Sequence, residues 1–136
     1  MRFADTNVLL YSISTAPTEA VKAATARGLL ACRDIALSVQ VLQEFYVQAT
    51  RPSRPSPLTH EEAHAFIRTW RRFPTQAITT SLFDEALAIK FRYQLSYWDS
   101  AIIAAAMQAG CTEVLSEDMN DGQDYAGVKV TNPFKL

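Results

Sequence analysis

The sequence predicts an α/β fold, a three-layer α/β/α sandwich around a mainly parallel sheet, on two observations. Short β-like runs alternate with longer helical patterns from one end of the chain to the other. Strands separated by helices pair in parallel through crossover connections, which places helices on both faces of the sheet. The chain's 136 residues, 49% hydrophobic and 20% charged, suit one domain over residues 1–136 with one buried core.

Taken in order, Arg2-Phe3-Ala4 reads as a strand, Thr18 to Cys32 as a helix, Ile35-Ala36-Leu37 as a strand and Val39 to Thr50 as a helix. Thr59 to Arg72 follows as a helix, Ala77-Ile78 as a short strand, then Ser81 to Arg92 and Trp98 to Ala109 as helices. Glu113-Val114-Leu115 and Val128-Lys129-Val130 complete the strands. Helix ends carry their own signals: Thr18 before Glu19, the capping-box spacing from Thr59 to Glu62, and Gly110 just past an apolar helical run. The run Arg51-Pro52-Ser53-Arg54-Pro55-Ser56-Pro57 forbids regular structure and reads as an exposed loop.

Several function classes drop out. The opening residues Met1 to Asp5 bring in charge too early for a secretory signal, and the most apolar segment, Ala101 to Cys111, is too short to span a membrane. Cys32 and Cys111 form no CxxC pair, so reduced thiols in a soluble cytoplasmic protein are expected. With 13 Lys plus Arg against 14 Asp plus Glu, the net charge of −1 rules out a protein held on nucleic acid by overall charge. Polyanion binding must therefore be local, through a basic face or through metal ions that invert an acidic site.

Four carboxylates stand out. Asp5 closes the first strand, where ligands bind in open parallel sheets, although an Asp there also serves as a helix N-cap. Asp118, in Ser116-Glu117-Asp118-Met119-Asn120-Asp121-Gly122, likewise follows a strand, in a loop that also resembles an ordinary turn. Asp99 opens a helix apolar nearly all round, with Ser96 placed to cap it. Glu44 borders the apolar stripe of its helix, and spacing alone leaves open whether it faces solvent or a cleft. None of the four compels a catalytic role alone. Together they require a positive charge, because clustered, desolvated carboxylates repel, and hard oxygen donors suit Mg²⁺ or Mn²⁺ better than zinc.

These residues resemble the PIN-domain proteins, and within them the VapC toxins of bacterial toxin–antitoxin pairs. The resemblance rests on Asp5-Thr6-Asn7 after the first strand, Glu44-Phe45 on a helix, Trp98-Asp99-Ser100-Ala101-Ile102 opening a small-residue helix, and Ser116-Glu117-Asp118 after a late strand. It covers the whole chain. It implies a PIN-like fold and an Mg²⁺- or Mn²⁺-dependent endoribonuclease, the toxin of a toxin–antitoxin pair. Asp5, Glu44, Asp99 and Asp118 would be both catalytic and metal-binding. It further implies an RNA substrate, a homodimer, and inhibition by a co-encoded VapB-like antitoxin. Asn7 and Ser116 would orient water or carboxylates. The last acid registers at Asp118 or Asp121; Asp118 is assigned and Asp121 kept as a supporting candidate.

Competing readings exist. His60-Glu61-Glu62-Ala63-His64 fits H-E-x-x-H, the zinc metalloprotease pattern, but it starts in a frayed first turn after a proline loop, where acids also complement the helix dipole. A non-catalytic Mg²⁺-binding or RNA-binding α/β module is the other alternative. Its receiver-like form needs paired acids after the first strand, which Asp5 lacks. Tyr97 and Trp98 read as core side chains rather than base-stacking platforms. Arg68 with Trp70-Arg71-Arg72 reads equally as a contact surface or a solvated helix end, and Arg51 and Arg54 as phosphate contacts.

Overall fold

A computed structural model describes residues 1–135. Six strands form one sheet: β1 (Arg2–Ala4), β2 (Ile35–Ser38), β3 (Thr75–Gln76), β4 (Glu113–Leu115), β5 (Asp124–Tyr125) and β6 (Val128–Thr131). Their order is β3-β2-β1-β4-β6-β5, and every pairing is parallel except β5 with β6. β1, β2 and β4 are apolar along most of their length because both faces are covered, as burial of Phe3, Ala4, Ile35, Ala36, Leu37, Val114 and Leu115 shows.

The helices are α1 (Thr6–Ser12), α2 (Ala20–Leu30), α3 (Val39–Ala49), α4 (His60–Trp70), α5 (Thr80–Tyr93) and α6 (Tyr97–Gln108). The strand order runs outward from β1 through β2 to β3, then returns to place β4 on the other side of β1. Right-handed crossovers therefore put α1 to α4 on one face and α5 with α6 on the opposite one. Packing agrees: α1 lies against α2 and α3, α3 against α4, and α5 against α6. Helix α6 carries the apolar-all-round pattern and is the most deeply placed, with Ser100 to Ala106 all buried. No helix among the described residues is long and apolar enough to cross a membrane.

Three local expectations shift. Residues 6–12 form a helix that a seven-residue run is too short to announce by periodicity. Helix α2 starts at Ala20, not Thr18, because Pro17 to Glu19 take up a 3-10 turn and no side chain caps the junction. The short third strand is Thr75–Gln76, paired with Leu37 and Ser38, while Ala77 and Ile78 lie beyond the pairing and are exposed. The capping box at Thr59 and Glu62 forms as the spacing predicts. Gly110 takes φ +76° past the end of α6, a conformation in which a side chain is strained. Cys32 and Cys111 are free.

Exchanging Thr59 for Ala removes the hydroxyl that accepts from Glu62 N and should cost about 1 kcal/mol of stability. Urea unfolding measures it; an unchanged midpoint contradicts a structural role for this cap.

Candidate metal centre

The order of strands reverses between β1 and β4, and in open α/β sheets the crevice beyond the carboxyl ends of such strands is where ligands bind. Asp5 leaves β1 and Asp118 follows β4 at this end of the sheet. Glu44 comes from the second turn of α3 and Asp99 from the first turn of α6. All four carboxylates line a single cleft of about 1060 Å³, together with Thr6, Asn7, Trp98 and Glu117.

Hydrogen bonds tie Asp118, Asp5 and Glu44 together along one belt, which ends on the backbone of α6 beside Asp99. Asp5 is 6% exposed and performs two tasks at once. Its Oδ1 caps α1 by accepting from Thr6 N at 2.7 Å, and its Oδ2 accepts from Ser116 Oγ at 2.7 Å. Thr6 Oγ1 donates to Glu44 Oε2 at 2.7 Å, and Gln40 Nε2 donates to Glu44 Oε1 at 2.9 Å. The same Gln40 amide donates to the Trp98 carbonyl at 3.3 Å, beside Asp99. On the other side, Asp118 N donates to Ser116 Oγ at 3.1 Å, and Asn7 Nδ2 donates to Asp118 Oδ2 at 3.1 Å. Asp99 N is capped by Ser96 Oγ at 3.1 Å, as the spacing predicts.

Burial holds the Asp5 carboxyl up at about 6, against the pull of its bonds from Ser116 and Thr6; the negative charges of Asp118 and Glu44 push it further up. Asp99 is raised by burial as well, and the same two neighbours add to it. The acids thus feel one another's charge. Among the described residues no three Asp, Glu, His or Cys side chains close into a ready-made metal cage. The donor set nevertheless fits a hard divalent cation: it is all oxygen, its charges repel, and Asn7 Oδ1 is buried without a partner beside Asp118 and Ser116.

Other residues fall elsewhere. Asp121 does not line the cleft: its carboxylate accepts from Asn132 N at 2.8 Å and pairs with Lys135 at 3.4 Å. The histidine pair is exposed on the first two turns of α4, where His60 Nδ1 meets Tyr46 Oη at 3.0 Å and Glu62 is taken up by the cap. No third ligand joins it among the described residues. Arg72 is structural, donating to the Leu30 and Thr69 carbonyls, and Trp70 is core. Tyr97 packs against the core as expected, but Trp98 does not: it is 65% exposed and lines the cleft. A first-turn position on an apolar helix lies at the edge of the core, so helical pattern alone misplaces it. Thr6 belongs to the Asp5-Thr6-Asn7 motif but is given no role by it, and Gln40 is not singled out by the sequence although it stands four residues before Glu44, a spacing that brings helical side chains together. Glu117, a further acid of the cleft, accepts from Tyr11 Oη and from Lys22 Nζ.

Residues 2–123 match the PIN domain family, so the chain belongs to that family. Solved structures share its fold. A toxin–antitoxin complex from Klebsiella pneumoniae superposes with a TM-score of 0.72 at 19% identity, covering 100% of both chains. VapC20 from Mycobacterium tuberculosis, described as a Sarcin-Ricin loop cleaving toxin, gives 0.67 at 20% identity over 87% of this chain and 92% of that one. VapBC2 from Rickettsia felis, bound to a promoter DNA fragment, gives 0.66 at 13% over 96% and 97%. No curated protein matches the chain significantly.

The raised Asp5 pKa sets a pH dependence. A carboxyl whose folded pKa lies above its unfolded value adds no penalty below about pH 4 and destabilises the fold as pH rises towards 6. In chelator, the wild-type chain should lose on the order of 3 kcal/mol relative to Asp5→Asn across that window. Thermal melts of both from about pH 4 to pH 7 check this; parallel curves contradict it.

Proposed function

We propose that this protein is a divalent-metal-dependent endoribonuclease and the toxin of a toxin–antitoxin pair. The observation that carries the reading is the convergence of Asp5, Glu44, Asp99 and Asp118 on one cleft, three of them joined by a belt of hydrogen bonds. Family membership and the likeness to toxin structures, one of them described as a Sarcin-Ricin loop cleaving toxin, support it.

Asp5, Glu44, Asp99 and Asp118 would hold Mg²⁺ or Mn²⁺. When bound, the cation supplies an activated water and neutralises charge on the attacked phosphate. The chain's own residues set the geometry. Thr6 and Gln40 fix both oxygens of Glu44, so that carboxylate cannot rotate out of the cleft without losing two hydrogen bonds. Ser116 holds Asp5 and Asn7 holds Asp118, and Asn7 Oδ1 is left buried without a donor beside them. In-line attack of water oxygen on phosphorus breaks the bond to the 3′ oxygen, leaving a 5′-phosphate and a 3′-hydroxyl.

Partners follow from the same reading. An antitoxin of the VapB kind would silence the cleft. A second copy would pack on α5, whose outer face exposes Phe83, Leu87 and the 84% exposed Phe91 at four-residue spacing. Antiparallel pairing of two such helices sets Phe83 against Phe91 and the acid Asp84 near the cation Arg92, so the face complements itself.

Incubated with total RNA, the wild-type chain should cleave with Mg²⁺ or Mn²⁺ and not with chelator, and Asp99→Asn should lower the rate at least about 100-fold with the melt preserved. A 2′,3′-cyclic phosphate end, or full cleavage in chelator, contradicts the mechanism; RNA binding without any cleavage favours the non-catalytic module. Sedimentation should show a dimer that Leu87→Glu converts to monomer, and an unaltered dimer excludes this face.

A further inference from the structure

Resting on the nuclease reading, we infer that Trp98 and Arg54 hold one unpaired nucleotide of the RNA beside the carboxylates, Trp98 by stacking on its base and Arg54 by gripping its phosphate. Tryptophan is highly buried on average, so a 65% exposed indole lining an acid-walled cleft marks a surface kept free for an apolar or π-faced ligand. Trp98 is braced. Its ring meets Tyr97 edge-to-face at 5.0 Å and 80°, and Tyr97 packs in turn near Phe83 at 5.8 Å. Its backbone is fixed by the Ser96 cap at the start of α6 and by Gln40, the same side chain that holds Glu44. A platform already held in place gives up little freedom on stacking.

Among the described residues Arg54 is the only cation lining the cleft, against Asp5, Glu19, Glu44, Glu62, Asp99, Glu117 and Asp118. It is half-buried, and among the described residues its guanidinium forms neither an ion pair nor a hydrogen bond. A cation surrounded by acids but neutralised by none is available to an anion that arrives with substrate, and the planar guanidinium matches phosphate oxygens two at a time. The loop that carries it is stiff. Pro52, Pro55 and Pro57 restrict its backbone, Arg54 N closes a turn on the Arg51 carbonyl at 3.0 Å, and Leu58 N returns to the Ala49 carbonyl at 2.8 Å. In a paired A-form helix the bases are stacked on one another and offer no free face; only an unpaired nucleotide presents one to an indole.

Binding of a fluorescein-labelled short unstructured RNA and of a blunt duplex, both in Mg²⁺, tests this by anisotropy in the Asp5→Asn background, where cleavage does not interfere. Trp98→Ala should weaken the unpaired RNA roughly 5- to 100-fold, Trp98→Phe less, and neither should change duplex affinity by more than about 2-fold. Unpaired RNA should also quench indole emission, and Trp98→Phe should remove that quenching. Arg54→Ala should weaken binding and lower the slope of log affinity against log salt by about 0.7, with Arg54→Lys recovering part of the loss. Unchanged affinity in Trp98→Ala, equal losses on both RNAs, or a change of oligomeric state in place of RNA affinity overturns the stacking role. An unchanged salt slope in Arg54→Ala overturns the phosphate role. Because binding is read without cleavage, these outcomes are separate from wild-type failure to cut RNA with metal, which would overturn the nuclease reading instead.

Discussion

The structure depends on holding negative charges from four distant segments at one place, against their repulsion. Asp5 is the centre of that constraint. Its two oxygens are used by the α1 cap and by Ser116, so the carboxylate stays ionisable inside the protein at the cost of a pKa raised to about 6. From there the belt passes through Thr6 to Glu44 and through Gln40 to the start of α6, and on the other side through Ser116 and Asn7 to Asp118. Neutral donors hold the Asp5, Glu44 and Asp118 carboxylates in position, yet none of them cancels the charge. That leaves an electrostatic need which a divalent cation meets and which the surrounding fold does not.

The same arrangement would account for how a chain of net charge −1 could engage a polyanion. The cleft is acidic, so attraction to RNA would depend on what the acids bind, with Arg54 the single cation among the described residues that line it. Asp5 directly follows β1 at the carboxyl end of the sheet, and Asp118, in the bend after β4, is held there by Ser116 and Asn7. Glu44 and Asp99 come from helices whose apolar faces are anchored in the core by Val41, Phe45, Ile102 and Ile103.

Much of this was legible in the sequence. The alternation of strand and helix patterns gave the α/β layers, because parallel strands need crossovers, and the all-round apolar stretch from Ala101 to Ala106 marked the buried helix. The two readings of Asp5, cap or cleft acid, proved compatible, since one carboxylate has two oxygens. Glu44 was ambiguous for a physical reason: helical spacing fixes which residues share a face, but only the partner, here Thr6 from α1, decides where a bordering side chain points. Helix α1 is too short for periodicity, and β5 is two residues long, held by its antiparallel pairing to β6. Asp118 and Asp121 were indistinguishable by type; Asn7 and Asn132, both remote in the chain, separate them.

The central claim is that these four carboxylates share one cation-binding region. A crystal grown or soaked with Mn²⁺ tests it most directly through the metal's anomalous signal. The account predicts manganese in the cleft, in contact with Asp5 and Asp118 and within reach of Glu44 and Asp99 directly or through water. Manganese bound only at other acids, or a cleft without it at millimolar Mn²⁺, contradicts the account.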